Sequence, residues 1–337
     1  MFERDKIARA LEEHPFEVGG ILGNSHIQTV SGVFIPYFKA EGWKVDRKLI
    51  DLADGSKIAA DFSIQDNPKD HPTVVIVPGL VASSHATYSL GIGHKAFHYG
   101  FNVVRMNLRN QGGTEHLSKS LYHGGQSEDV ITLINTLVDQ GLDNIYLTGV
   151  SLGGNICLKA VGELGEEAKK HIKTLGVLSP VADPLVSWQP MEKRENLLYQ
   201  ANIVHGLKDL IRKKAVIEPG VWDTSLLKGI KTMQQLDEAY QVPFYGFKTC
   251  DDYYRNESSM PWVPKITIPT LVIHAEDDTF VPVEPLKRPE FSNNPNIVTL
   301  ITPKGGHSGF ISSRKRYGDL DLHWDQNRVI DFFRLLQ

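Results

Sequence analysis

A serine between two glycines has the spacing of a nucleophile held at a sharp turn. The pentapeptide Gly149-Val150-Ser151-Leu152-Gly153 follows an apolar run at 144–148 and precedes a helical pattern at 152–164. A serine that attacks a carbonyl must project its Oγ from a tight strand-to-helix turn, and glycines two residues away let the neighbouring backbone pass closely. An ordinary Gly/Ser turn gives the same five letters, so the flanking strand and helix decide between the two. The sequence predicts that Ser151 is a nucleophile.

Such a serine needs a histidine as general base and a carboxylate that orients the histidine. Two later segments supply them, each directly after a predicted strand: an acidic cluster at 276–278 and a glycine-flanked His307. The order serine, acid, histidine is that of strand-turn-helix hydrolases. We predict that Asp278 is the acid, with Asp277 as the alternative, and that His307 is the base. His274 lies inside the preceding strand and is expected in the core or behind these residues.

Acyl transfer also requires hydrogen-bond donors for the oxyanion, and the loss of one donor costs about 3 kcal/mol. The first predicted donor is the backbone N–H of Leu152, which follows the nucleophile. The second is the N–H of Leu80, in the loop that follows the apolar run at 73–77. Both donors are main-chain groups, so the fold of the two turns determines whether they point correctly.

The elements that must position these residues are short strands alternating with helices. An amphipathic helix is predicted between strands at 126–139, and another after the last strand at 324–336. An antiparallel hairpin at the sheet edge is predicted for 48–52 and 57–62. The predicted central strands are 73–77, 102–107, 144–148, 174–178, 270–274 and 297–301. This alternation predicts an α/β fold with a mostly parallel sheet and helices on both faces.

One long segment, 184–264, lacks a convincing strand and contains helical patterns at 194–214 and 224–239. Because it follows a strand end, we expect it to form a helical cap or lid over a core made of 1–183 and 265–337, with an N-terminal extension at 1–45. Some of its aromatic residues are expected to line an apolar substrate pocket, and most to pack the lid on the core.

Composition excludes several classes of function. The 337 residues are 41% hydrophobic and carry a formal net charge of −4, with neither a long basic run nor an apolar run of membrane-spanning length. The basic cluster at 212–214 is expected to be a solvated helix face, so no nucleic-acid partner is predicted. Cys157 and Cys250 match neither a disulfide framework nor a metal site, although a single bridge between them stays open. We expect a cytoplasmic protein without an export signal, metal or cofactor.

Several longer strings resemble one family. They include Asn24-Ser25-His26-Ile27-Gln28-Thr29, the stretch 78–85, Tyr122-His123-Gly124-Gly125, the turn at Ser151 and Gly305-Gly306-His307-Ser308-Gly309-Phe310. Through them the chain resembles the α/β-hydrolase superfamily and, within it, the YheT-like branch of bacterial esterases, abhydrolase-domain lipases and yeast acyltransferases. Pro78 and Ala82 depart from the family pattern, where histidine and glycine are usual. The resemblance implies an α/β-hydrolase fold and a cofactor-free serine esterase or lipase for short or medium acyl chains.

The predicted function is therefore hydrolysis of short- to medium-chain carboxylic esters through a Ser151-Asp278-His307 triad and an acyl-enzyme, with a small or lipid-like ester as substrate. Two alternatives stay open. Transfer of the acyl group to an alcohol uses the same triad and differs in whether water is excluded from the acyl-enzyme. A binding protein on a hydrolase fold would have lost catalysis. The sequence does not specify the oligomeric state.

Overall fold

Eight strands form one sheet with a parallel centre. The computed structural model describes residues 2–337. The strand order is β1-β2-β4-β3-β5-β6-β7-β8, with β1 and β2 antiparallel at one edge and the other six strands parallel. The strands are β1 (Asp46–Asp51), β2 (Lys57–Ser63), β3 (Thr73–Val77), β4 (Asn102–Met106), β5 (Ile145–Val150), β6 (Ile172–Leu178), β7 (Thr270–Ala275) and β8 (Ile297–Thr302). The predicted strands, the edge hairpin and the α/β fold class are confirmed.

Twelve α-helices lie within the described residues. The predicted helices at 126–139, 152–164 and 324–336 are confirmed as the fourth, fifth and last of them. The helices are α1 (Arg4–Glu12), α2 (Ser25–Phe34), α3 (Thr87–His98), α4 (Ser127–Asp139), α5 (Leu152–Leu164), α6 (Pro184–Met191), α7 (Leu197–Ile217), α8 (Met233–Leu236), α9 (Val242–Tyr245), α10 (Cys250–Glu257), α11 (Pro289–Ser292) and α12 (Trp324–Leu335).

Each face of the sheet has its own apolar core, because side chains alternate along a strand. On β3, Val75 and Val77 pack in the cluster that contains the inner faces of α4 and α5. Val74 and Ile76 pack on the opposite face, among residues of α3 and α12. All four side chains are fully buried, as expected for a parallel strand covered on both sides.

The parallel strands bring the predicted site residues together at their carboxyl ends. Ser151 follows β5, Asp278 follows β7, His307 follows β8 and Leu80 follows β3. Neighbouring parallel strands end at the same edge of a sheet, which is where ligands bind in open α/β folds. The four chain segments therefore converge although they are far apart in sequence.

The segment between β6 and β7 is helical, as predicted, but one of its helices differs from the prediction. The pattern at 194–214 corresponds to α7 and a short 3₁₀ turn before it. The single helix expected at 224–239 is wrong, since a 3₁₀ turn at Thr224–Lys228 ends before a separate helix α8. The side chain of Thr232 accepts a hydrogen bond from the Gln235 amide in a capping box, which starts a new helix at that point.

The basic cluster at 212–214 is not entirely solvated, and the expectation is wrong for Lys214. This side chain is fully buried, and its ammonium donates to the Ser118 carbonyl oxygen and lies 3.0 Å from the carboxylate of Glu218. The lysine can be buried because its charge has both a carboxylate and a carbonyl partner. It attaches α7 to the loop before α4.

Two further sequence expectations concern the chain as a whole. No helix among residues 2–337 is long and apolar enough to span a membrane. Cys157 and Cys250 are both buried free thiols, so the bridge left open by the sequence is not formed.

Candidate active site

The turn at Ser151 has an unusual backbone conformation and leaves no room for side chains at its two glycines. Ser151 has φ 56° and ψ −119°, a region that non-glycine residues rarely adopt. A Cβ at Gly149 would overlap the carbonyl oxygen of Gly153, and a Cβ at Gly153 would overlap the carbonyl oxygens of Val77 and Pro78. The two glycines thus allow α5 to pass close to β5 and to the loop after β3. The strained turn projects the serine from the strand end, as the spacing predicts.

The structure brings the three predicted triad residues into one hydrogen-bonded chain. The Nε2 atom of His307 lies 3.0 Å from the Oγ of Ser151. Its Nδ1 atom lies 2.7 Å from the Oδ2 of Asp278. With Nδ1 donating to the carboxylate, Nε2 carries the lone pair that can accept the serine proton.

The carboxylate of Asp278 is buried and nevertheless held in its charged form. Burial opposes ionisation, but His307, His274 and the amide of Val281 together lower the pKa of this carboxyl below its ordinary value. Its Oδ1 accepts hydrogen bonds from the amides of Phe280 and Val281 at 2.8 and 3.0 Å. The fully buried His274 lies behind it, with Nε2 3.0 Å from the Val281 carbonyl oxygen and 3.8 Å from Asp278.

Asp277, the alternative acid, has a different position. Its Oδ1 accepts a hydrogen bond of 2.9 Å from the amide of Gly306, the residue before His307. Lys304 approaches its other oxygen at 3.8 Å. Asp277 therefore supports the backbone of the histidine loop and does not contact the imidazole by a hydrogen bond.

Helix α2 supports the histidine loop, which the sequence reasoning did not recognise. The hydroxyl of Thr29 accepts a hydrogen bond of 2.9 Å from the His307 amide. The buried amide of Gln28 donates to the Ile311 carbonyl oxygen at 3.0 Å and accepts from the Ile311 amide at 2.7 Å. In the sequence, the string 24–29 stands out only through the family resemblance. The sequence carries no separate signal for this role, because the burial of Gln28 depends on the later loop.

The two residues predicted to provide the oxyanion donors lie at the same cavity as the serine. Leu80 and Leu152 line the cavity that contains Ser151 and His307. Among the described residues, neither amide donates to a protein acceptor. An unpaired main-chain N–H beside a nucleophile is free to donate a hydrogen bond to an oxyanion, so the geometry is compatible with both assignments.

The cavity has a volume of about 640 Å³, which is in the range of sites for small organic ligands. Residues from the segment 184–264 form much of its wall. Apolar side chains in the lining include Val33, Leu152, Met191, Ile203, Leu207, Met233 and Phe280. The site can therefore hold an apolar chain next to Ser151.

Part of the wall is polar. The Nδ1 atom of His123 lies 2.7 Å from the carboxylate of Glu257. Asp237 is buried and accepts a hydrogen bond of 2.8 Å from the Tyr254 hydroxyl. Burial, opposed by that hydrogen bond and reinforced by the charge of Glu257, raises the pKa of Asp237 to about 7. The cavity thus combines an apolar surface with buried acidic groups.

Aromatic residues of 184–264 behave as the sequence predicted, with some at the cavity and others in packing. Those in the lining are Trp188, Tyr199, Tyr253 and Tyr254. Tyr199 packs edge-on against Phe280, whose ring in turn lies 4.9 Å from the imidazole of His307. Trp222 and Phe244 instead stack on each other away from the lining. Within residues 2–337, no group of three or more histidine, cysteine or acidic side chains has the arrangement of a metal site.

Comparison with known proteins finds hydrolases among the relatives of this chain. A family model described as alpha/beta hydrolase fold matches residues 72–313. The chain is 28% identical over 322 residues to "Putative esterase YheT" of Escherichia coli (strain K12), covering 92% of this chain and 90% of that protein. It is 28% identical over 272 residues to phospholipase ABHD3 of Bos taurus, covering 78% of this chain and 66% of that protein.

The fold is also similar to that of solved hydrolase structures. The Pyrococcus furiosus esterase Pf2001 is similar with a TM-score of 0.56 at 16% identity, covering 89% of this chain and 95% of that chain. This likeness concerns the fold alone. Together with the family match over most of the chain, it leads to one assignment: the chain belongs to the α/β-hydrolase superfamily, within its YheT-like branch.

Proposed function

We propose that the protein is a serine carboxylic-ester hydrolase for short- to medium-chain acyl esters. The observation that carries the proposal is the chain of hydrogen bonds from Asp278 through His307 to Ser151, at 2.7 and 3.0 Å. Family membership and relatives named esterase and phospholipase support hydrolysis of an ester or lipid. The apolar cavity of about 640 Å³ supports an acyl chain of modest length.

In the proposed mechanism, the Ser151 Oγ attacks the ester carbonyl while His307 Nε2 accepts its proton. Asp278 stabilises the resulting imidazolium through the Nδ1 hydrogen bond, and the amides of Leu80 and Leu152 stabilise the oxyanion. His307 then returns the proton to the leaving alcohol, which departs from the acyl-enzyme. A water molecule, deprotonated by His307, attacks the acyl carbon, and Ser151 recovers its proton when the carboxylic acid leaves.

The state of the two cysteines favours the cytoplasm as the compartment of the protein. The sequence has only two cysteines, and both are buried free thiols. Thiols persist in reducing compartments, whereas secreted proteins tend to pair them.

The test is the substitution Ser151→Ala, assayed with p-nitrophenyl butyrate and octanoate and with a fluorophosphonate probe. We expect the loss of both turnover and labelling. Ser89→Ala is a matched control, because Ser89 is a fully buried serine on α3 outside the cavity lining. Turnover by Ser151→Ala equal to that of the wild type would disprove the proposal.

The acyl preference and the nature of the acceptor need two further measurements. A series of p-nitrophenyl esters from acetate to palmitate should give the highest kcat/KM at a short or medium chain, because the cavity bounds the acyl length. A maximum at palmitate would contradict that part of the proposal. Product analysis with ethanol present separates hydrolysis from alcoholysis, and free acid as the main product is expected.

A further inference from the structure

Three consecutive amides in the loop after β3 differ in their hydrogen bonding. The Gly79 amide donates to the hydroxyl oxygen of Tyr88 at 2.8 Å, and the Val81 amide donates to the hydroxyl oxygen of Tyr122 at 3.0 Å. Between them, the Leu80 amide has no acceptor among the described residues. The two phenols thus accept hydrogen bonds from both neighbours of the unpaired Leu80 amide, and Leu80 itself lines the cavity.

We propose that Tyr88 and Tyr122 are positioning residues, which aim the Leu80 N–H at the oxyanion that forms on the substrate. The inference rests on the proposed function, because it presupposes an oxyanion at Ser151. A peptide group fixed on either side leaves the Leu80 amide little freedom to rotate. A donor that is already oriented needs no reorganisation when charge develops, which is the basis of oxyanion stabilisation.

The two phenols are held by different rigid parts of the protein. Tyr88 lies in the first turn of α3. Tyr122 is buried, and its carbonyl oxygen accepts a hydrogen bond of 2.9 Å from the side chain of Gln241. The loop of Tyr122 also approaches the other proposed donor, since a Cβ at Gly124 would lie 2.9 Å from the Leu152 side chain. The loop of Tyr122 therefore lies between the loop after β3 and the side chain of Leu152.

The loop needs such support because its backbone is strained. Val81 has φ 56°, and a β-branched side chain is a genuine outlier in that left-handed region. A strained residue persists only where its surroundings hold it. The hydrogen bond from the Val81 amide to Tyr122 is one such contact.

Helix α7 provides a second contact with the same residue. Gly206 on α7 faces Val81, and a Cβ at Gly206 would lie 2.5 Å from the Val81 Cγ1 atom. The valine side chain is stiff at χ1 and cannot turn away cheaply. The absence of a side chain at Gly206 therefore lets α7 approach the loop while Val81 keeps its conformation.

The experiment removes each hydroxyl and keeps the ring. Tyr88→Phe, Tyr122→Phe and the double variant are compared with Tyr146→Phe, a buried tyrosine whose hydroxyl donates to the Leu336 carbonyl oxygen. The assays are kcat and KM with p-nitrophenyl butyrate, affinity for an aliphatic trifluoromethyl ketone, fluorophosphonate labelling and Tm.

For each phenol variant we expect kcat to fall about 10- to 100-fold, because a misdirected donor loses part of what a deleted one loses. KM should change less than about twofold, and trifluoromethyl ketone affinity should fall in parallel with kcat. Tyr146→Phe should behave as the wild type. A kcat within about twofold of the wild type in both single variants, or a fall in kcat with unchanged ketone affinity, would overturn the inference.

Gly206→Ala tests the loop without touching a phenol, in case a tyrosine variant folds poorly. The higher helix propensity of alanine offsets part of the cost of the contact, so the protein should stay folded with a modest fall in Tm, while the added methyl displaces Val81 and lowers kcat. Adding Val81→Ala removes the clashing atom, so Gly206→Ala should then cause no further loss. Equal kcat for Gly206→Ala and the wild type would count against the role of Val81.

These results are separable from a failure of the proposed function. If the wild type neither turns over esters nor reacts with fluorophosphonate at Ser151, both proposals fall. If the wild type is active and labelled but the phenol variants equal it in kcat, only the positioning role is overturned.

Discussion

Replacing Asp278 by asparagine tests the orientation of the histidine without changing the size of the side chain. The Oδ1 atom of Asp278 accepts two amide hydrogen bonds, from Phe280 and Val281. An asparagine oxygen must keep serving these amides, so its NH₂ group faces the Nδ1 atom of His307. Nδ1 then becomes the acceptor, the ring proton moves to Nε2, and Nε2 can no longer accept the proton of Ser151.

The magnitude follows from the loss of the correct tautomer. In the serine-protease triad, the same change lowers kcat by about 10⁴-fold, roughly 5.5 kcal/mol at 1.36 kcal/mol per tenfold change in rate. We expect a loss of this size for Asp278→Asn, because here too a carboxylate lies within hydrogen-bond distance of the histidine Nδ1, at 2.7 Å.

Asp277→Asn is the matched control, since it makes the same chemical change one residue away. Its oxygen can still accept the hydrogen bond from Gly306. The negative charge that Asp277→Asn removes forms one ion pair, with the exposed Lys304 at 3.8 Å. Such pairs contribute about 0–1 kcal/mol, so kcat should fall less than about fivefold.

Both variants are assayed for kcat with p-nitrophenyl butyrate at neutral pH, with the fluorophosphonate labelling rate as a second readout of Ser151 reactivity and Tm as the folding control. A kcat for Asp278→Asn within about tenfold of the wild type would refute the tautomer reasoning. An inactive Asp277→Asn beside an active Asp278→Asn would assign the acid to position 277.

Three other expectations address the elements around the triad. Gly149→Ala places a methyl on the Gly153 carbonyl oxygen, so we expect a loss of about 1–3 kcal/mol in urea unfolding and loss of fluorophosphonate labelling. Gln28→Ala leaves buried polar groups of Ile311 unpaired, and we expect about 3 kcal/mol lower stability and a reduced kcat, whereas an unchanged kcat would show that the histidine loop does not need α2. Asp237 has its pKa raised by burial from 3.8 to about 7, so the folded protein binds more protons than the unfolded one and stability falls as pH rises between these values. Asp237→Asn should flatten that fall in urea titrations at pH 5 and 8, with a gain on the order of 4 kcal/mol at pH 8, and an equal slope in both proteins would contradict it.

The local elements could be predicted because their signals are local. β3 is a run of five β-branched residues, four of them apolar, and α4 has an apolar stripe of helical period, so neither depends on distant contacts. The turn at Ser151 was predictable for a similar reason. Its glycines are required by backbone contacts within a few residues and with the adjacent loop.

Features that depend on distant partners were not predictable. The side chain of Lys214 looks solvent-exposed in a basic cluster, yet it is buried because Ser118, 96 residues away, provides a carbonyl oxygen. The roles of Gln28 and Thr29 depend on a loop about 280 residues later. The break before α8 was available locally, because Thr232 and Gln235 have the spacing of a capping box, but a longer helical pattern obscured it.

The contact between α2 and the histidine loop has a consequence for the order in which the active site assembles. Thr29 and His307 are separated by 278 residues, and Gln28 and Ile311 by 283. During synthesis on the ribosome, α2 emerges long before the histidine loop, so Gln28 and Thr29 cannot bond to Ile311 and His307 until the chain between them has been made. Closing so long a loop is also slow compared with forming local contacts. The nascent chain therefore contains Ser151 well before α2 can hold the loop of His307, the proposed general base, so the proposed triad is completed late in folding.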